Sequence, residues 1–149
     1  VMASPHATSA TGEKQYLCKR YPSVATLFVR GFLPNGWKTQ FAARLGRYEM
    51  RELSETAPTA PIPIASGCFM LCTSEALLAV GGFDERYFLY FEDFDLSLRL
   101  GELGQIAYVP AMKICHGGGY AAKKGIRHIA MFARSGIRFF NTHGWRWFS

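Results

Sequence analysis

Apolar residues recur at helix and strand spacing in short blocks along the chain. Behind Ser23, Val24, Leu27 and Phe28 share one face, which predicts a helix over 24–33 with Ser23 as its cap. Pro34-Asn35-Gly36 forces a turn, and Trp37, Phe41 and Leu45, four apart, predict a second short helix. The prolines at 58, 61 and 63 make 54–63 an extended connector that links rather than packs. Ile64 to Cys72 is an apolar run, interrupted by Ser66-Gly67, whose length fits one buried strand. Thr73 or Ser74 caps a helix over 75–80, which Gly81-Gly82 ends. A longer helix is expected over 92–103, with Leu96, Leu100 and Leu103 inward and Gly104 as its stop. Ile106–Pro110 and Lys113–His116 read as two short strands, followed by a turn at Gly117-Gly118-Gly119. The last helix, over 123–141, places Ile126, Ala130, Ala133, Ile137 and Phe140 on one face and Lys123, Arg127, Arg134 and Arg138 on another. Residues 1–14 are small and polar without periodicity, and read as a loose leader to a single domain over 15–149. Short strands alternating with helices predict the α/β class, with a short mixed sheet and flanking helices.

Composition narrows the partners. At 149 residues and 49% apolar content, one core is the default. A net charge of +6 and a pI near 9.3 point to an anionic partner: nucleic acid, a phosphorylated substrate or a membrane surface. Cys18, Cys68, Cys72 and Cys115 lack paired C-x-x-C spacing and read as buried free thiols in a reducing compartment. No stretch approaches the roughly 18 apolar residues of a membrane span, and the N-terminal residues lack the pattern of a signal peptide. A cytoplasmic chain is therefore expected. The last helix, followed by Trp145, Trp147 and Phe148, is either a core helix with a solvated basic side or a helix lying on an anionic membrane through residues 123–148.

The chemistry concentrates in 81–99. All three aspartates, Asp84, Asp93 and Asp95, lie there with Glu85 and Glu92, among Phe83, Tyr87, Phe88, Tyr90, Phe91 and Phe94. Carboxylates among aromatic rings are costly to ionise, which marks a site more than a solvated surface. Asp93 opens the 92–103 helix, where free backbone N–H groups favour its charged form while the rings oppose it. So placed, it can serve as a general base for a hydroxyl; as plain structure, it is a helix N-terminal acid with Glu92 as cap. Asp93-Phe94-Asp95 is literally a D-x-D, yet it opens a helix and Asp95 has Arg99 one turn on, which disfavours a nucleotide-metal role. Asp84 most simply caps the turn after Gly-Gly-Phe. His116 ends a strand before three glycines, as a packed residue or a metal ligand; His6, His128 and His143 have no such setting.

Four motifs in register carry a resemblance: Ser66-Gly67-Cys68-Phe69-Met70-Leu71; Gly81-Gly82-Phe83-Asp84-Glu85; Tyr90-Phe91-Glu92-Asp93-Phe94-Asp95-Leu96-Ser97-Leu98-Arg99; and Tyr108-Val109-Pro110 with His116. Together with Cys18-Lys19-Arg20-Tyr21-Pro22, they resemble the acceptor-side half of family 2 glycosyltransferases, especially rhamnosyltransferase-like members, over about residues 15–145. The resemblance implies a partial GT-A-type (nucleotide-diphospho-sugar transferase-like) fold and an inverting sugar transfer. By that resemblance, Asp93 is the catalytic base, Glu92 its neighbour, Ser66 and Gly67 border the acceptor and donor sugar, and His116 completes a Mg²⁺ or Mn²⁺ site. The implied partners are a nucleotide sugar donor and a glycan or lipid-diphosphate acceptor in bacterial surface polysaccharide synthesis at the inner face of the membrane, with no nucleic acid. There is no aspartate before Asp84, so the nucleotide-binding half of the family is expected to be missing. The chain alone would then bind no metal and turn nothing over. His116-Gly-Gly-Gly-Tyr120 also lacks the Ser or Thr of the family loop, for which Lys123 or Lys124 would have to substitute in phosphate contacts. The competing expectation is a non-catalytic basic module for nucleic acid or anionic lipid.

Overall fold

A computed structural model of the chain describes residues 1–117 and 125–148. A four-stranded mixed sheet is built around β1 (Met2–Thr8). On one side β1 pairs in parallel with β6 (Ile106–Cys115); on the other it pairs antiparallel with β2 (Lys14–Gln15) and β5 (Leu71–Cys72). A two-stranded sheet joins β3 (Cys18–Lys19) to β4 (Ile64–Ala65). The helices are α1 (Val24–Phe32), α2 (Asn35–Lys38), α3 (Ala42–Tyr48), α4 (Ser74–Ala79), α5 (Glu92–Leu103) and α6 (Ile126–His143), with a 3₁₀ turn at Thr39–Phe41.

The residues expected to form a loose leader instead supply the central strand. Ser4 and Ala7 are fully buried. Their small side chains leave no apolar period to read, because here the neighbours Leu100, Ile106 and Tyr108 bring the bulk. The two strands expected at 106–116 are one. The register with β1 shifts between Pro5 and His6, so that Pro5 faces Val109 while His6 faces Lys113. Pro5 and Pro110 both lack an N–H at this point, and the ladder bulges there instead of ending.

The run from Ile64 to Cys72 is two short strands in different sheets, because Ser66-Gly67 turns the chain out between them. The proline-rich connector does pack: Thr59 exchanges two backbone bonds with Tyr108, Ile62 N–H donates to Ile106, and Ile62 is buried. Ser23 and Thr73 cap α1 and α4 as expected. Leu103, expected inward, is half exposed. The expected glycine turn and the start of the last helix at Lys123 fall on 118–124, outside the described residues. All four cysteines are free, but Cys18 alone is buried, while Cys115 is exposed.

Helix α5 divides two cores. Leu96 and Leu100 join Met2, Ile62, Ile106 and Tyr108 beneath the sheet. Phe94 and Leu98 face an aromatic core of Leu27, Tyr48, Tyr87, Phe91, Phe139 and Phe140, drawn from α1, α3, α6 and the segment leading into α5. The site lies at the start of this dividing helix.

Candidate active site

Asp93 occupies the first turn of α5 with Glu92 and Asp95, where the helix dipole favours acids. Its Oδ2 accepts the Gly67 N–H at 2.8 Å and its Oδ1 accepts the Phe94 N–H at 3.0 Å. The loop after β4 therefore meets the start of α5 through the carboxylate itself. Gly67 permits this: a Cβ there would stand 3.1 Å from Asp93 Cβ. Ser97, one turn on, locks the same pairing. Its Oγ accepts the Ala65 N–H at 3.1 Å and lies 2.7 Å from Asp93 O. Ser66 N–H donates to Leu17 O, which ties the loop to the start of β3.

Burial pushes the Asp93 carboxyl above the ordinary carboxylate range, while the Gly67 and Phe94 N–H groups and the Lys19 cation pull the other way. The carboxyl of Glu92 is raised too, by burial and by the charge of Asp93. Lys19, 6% exposed, donates to Tyr16 O and lies over the Tyr48 ring; burial lowers its ammonium to about 8. Tyr48 hydroxyl and Glu92 Oε2 are buried with no hydrogen-bond partner among the described residues. Two orphaned polar atoms beside a half-buried carboxylate are what a site built for a polar ligand shows.

The approach to α5 is strained. Tyr90 and Phe91 both hold left-handed backbone, with φ of 68° and 66°. Each costs roughly 1–3 kcal/mol and persists where the surroundings over-determine it. Helix α6 does so. Ser135 Oγ donates to Leu89 O at 2.8 Å, Tyr90 hydroxyl meets His128 Nδ1 at 2.9 Å, and the Phe91 ring lies about 5 Å from those of Phe94, Phe132 and Phe139. Gly136 makes room, because a Cβ would come within 3.3 Å of the Phe91 ring.

Asp95 points the other way, into the protein. It is 2% exposed and paired with Arg99 at 2.7 Å, as its spacing predicted, and with His143 Nε2 at 2.8 Å, which no spacing revealed. Arg99 also donates to Val80 O and Gly82 O, binding α5 to the end of α4. Asp84 accepts from Arg86 N–H and pairs with its guanidinium, which holds the carboxyl down at about 2. Asp84 is thus a turn acid, as read.

The structure brings Ser66, Gly67, Glu92 and Asp93 together. His116 stands at the end of β6, where Nδ1 meets Gln15 Oε1 at 2.8 Å and its backbone bonds Gln15 and Thr8; no bond joins it to Asp93. Among the described residues no group of three His, Cys, Asp or Glu is placed to hold a metal ion. Sequence reasoning missed Lys19, Tyr48 and Ser97. Lys19 was visible only as a member of the Cys18-Lys19-Arg20-Tyr21-Pro22 motif, with no role attached to it.

No protein-family model matches the chain, and no solved structure matches it. Among curated proteins it is 42% identical over 83 residues to N-acetylglucosaminyl-diphospho-decaprenol L-rhamnosyltransferase of Mycobacterium tuberculosis, covering 55% of this chain and 24% of that protein, alike in strains CDC 1551 and H37Rv. It is 46% identical over 52 residues to rhamnosyltransferase WbbL of Escherichia coli K12, covering 34% of this chain and 20% of that protein. The matches thus reach about a quarter of the length of these relatives. Over them, the mixed α/β chain is similar to rhamnosyltransferases.

Proposed function

We propose that this chain carries the acceptor side and catalytic base of an inverting glycosyltransferase of family 2, with a partial GT-A-type fold, that moves a sugar, rhamnose by analogy with its relatives, from a nucleotide sugar to a lipid-diphosphate or glycan acceptor. One observation carries the reading. Asp93 is fixed by two backbone N–H groups at the mouth of α5, with its carboxyl raised by burial, within a chain that is 42–46% identical to rhamnosyltransferases over partial stretches.

Each carboxylate oxygen spends one lone pair on a backbone N–H and keeps another for an acceptor hydroxyl. Asp93 accepts that hydroxyl's proton as its oxygen bonds the anomeric carbon. The bond from that carbon to the nucleotide diphosphate breaks on the opposite face, and the diphosphate leaves with the electron pair. A carboxyl raised above its usual range is the stronger base for this step. Ser66 and Gly67 border the acceptor, and the unpaired Tyr48 hydroxyl and Glu92 Oε2 supply hydrogen-bonding capacity. The resemblance alone assigns His116 one nitrogen of a divalent-metal site, which the described residues do not complete. The donor half and inner-membrane-face location implied by the resemblance are part of the same proposal.

The test grafts residues 64–116 of this chain, Gly67 and Asp93 included, into the Escherichia coli relative in place of its corresponding segment, and assays rhamnosyl transfer to a lipid-diphosphate acceptor. Asp93→Asn should lower turnover by about 10²–10⁴ with nucleotide-sugar binding unchanged. Activity within tenfold of the unsubstituted hybrid excludes Asp93 as the base.

A further inference from the structure

Helix α6 has three sides, and the structure uses one of them. Ser135, Gly136, Phe139 and Phe140 are buried against the aromatic core. The apolar stripe read from the sequence points elsewhere: Ile126 is 82% exposed and Ile137 54%, Ala130 and Ala133 are exposed too, and Ile129, outside that stripe, adds to the same open surface. Phe140 alone of that expected face is buried. The basic stripe of Arg127, Arg134 and Arg138 runs one residue on from Ile126, Ala133 and Ile137, bordering the apolar side. None of these three arginines is in a salt bridge among the described residues.

Helix α1 extends this surface. Phe28 and Phe32, stacked at 5.5 Å, are 56% and 52% exposed. Between α1 and α6 lies an open groove of about 210 Å³ lined almost wholly by apolar atoms, including Phe28, Phe32, Ile129, Ala133, Ile137 and Trp145. The segment after α6 closes one end. The N–H groups of Val24 and Ala25 donate to Arg146 O and Trp147 O, Tyr21 hydroxyl donates to Gly144 O, and Trp145 stacks on Trp147 at 5.2 Å. Phe148 is 79% exposed beside them. The charge is one-sided. There is no Asp or Glu in 14–48 and none after Glu102, so both walls of the groove come from acid-free, basic stretches.

We propose that the surface formed by α1, α6 and residues 144–148 docks on an anionic phospholipid bilayer, with the isoleucines and aromatic rings in the acyl boundary and the arginines among the headgroups. Interfacial surfaces of this kind combine an apolar face with flanking arginines and tryptophans at headgroup level. A polynucleotide fits less well: the rings stack on one another and the stripe is aliphatic, whereas base binding needs open aromatic faces. The docking surface deepens the membrane-face location in the glycosyltransferase reading but is argued from α1, α6 and residues 144–148 alone: loss of vesicle binding leaves the Asp93 assignment untouched, and loss of that assignment leaves the surface untouched.

The experiment is flotation of the 149-residue chain with phosphatidylcholine vesicles, with and without phosphatidylglycerol, read also by tryptophan fluorescence. The chain should bind only the anionic vesicles, with a blue shift, and lose binding as salt is raised. Ile137→Glu and Phe32→Glu, both at exposed positions, should each weaken binding at least about tenfold with the melting temperature unchanged. Arg134→Gln and Arg138→Gln should cost about fivefold each at low salt. Equal binding by Ile137→Glu, no binding by the folded chain, a dimer that Ile137→Glu dissociates in place of vesicle binding, or tighter binding to single-stranded polynucleotide would each overturn it.

Discussion

Asp93 and Asp95 stand two residues apart on one helix and live in opposite settings. Asp95 faces inward, saturated by Arg99 and His143, and joins α4, α5 and α6 at one point. Asp93 faces the loop after β4, held by backbone N–H groups alone, and burial raises its carboxyl. One carboxylate is committed to structure because its charge is neutralised inside the protein. The other keeps free lone pairs and an unfavourable charge, the condition of a group available for proton transfer. A D-x-D spacing alone cannot separate these roles; a helix turns roughly 100° per residue and sends the two side chains to different surroundings.

Stability measurements sharpen this contrast. Asp95→Ala leaves Arg99 and His143 without their anion and should cost about 3 kcal/mol or more in urea unfolding. Asp93→Asn, which should end transfer in the hybrid enzyme, should leave the unfolding midpoint unchanged or raised at neutral pH. The reverse ranking would make Asp93 the structural acid.

Lys19 gives a pH test of the same site. Its ammonium falls from 10.5 to about 8 on folding, so between those values the unfolded chain holds more protons than the folded one, and this residue's contribution to stability rises with pH. Removing it as Lys19→Met should therefore favour folding most below pH 8, and that advantage should shrink by up to about 3 kcal/mol as pH rises toward 10.5. The buried Cys18 thiol, raised from 9.0 to about 11, acts oppositely between those values, which is why the variant must be compared with the parent at each pH. A gap that is flat with pH would place Lys19 in water rather than buried over the Tyr48 ring.

Gly67→Ala should have only a small effect on folding, about 1 kcal/mol or less, because Gly67 is exposed. Its Cβ, 3.1 Å from Asp93 Cβ, should still displace the carboxylate and lower transfer by about tenfold. Unchanged transfer would show that the Gly67–Asp93 contact is incidental.

Some of this was legible in the residues and some was not. Local signals held where the partner lies within one or two turns: Ser23 and Thr73 as caps, the helix at 92–103, and the Asp95–Arg99 pair at i and i+4. They failed where the partner is distant. Strand β1 looked like a leader because its small residues carry no period, and its order comes from pairing with β6 a hundred residues away. His143 looked unremarkable because its carboxylate lies 48 residues earlier. The apolar stripe of α6 was found correctly and oriented wrongly: a moment says that one side differs, not which side meets the core.

By itself, then, the sequence determined the α/β class, the cluster of acids among aromatic rings, and the motifs that resemble glycosyltransferases. The tertiary structure decided which of two neighbouring aspartates is neutralised and which stays available, and which face of the last helix is left uncovered. Propensity, capping and helix spacing act within a few residues, and the chain carries them openly. Burial and charge pairing are settled between segments far apart in sequence, and only the folded arrangement brings those segments together.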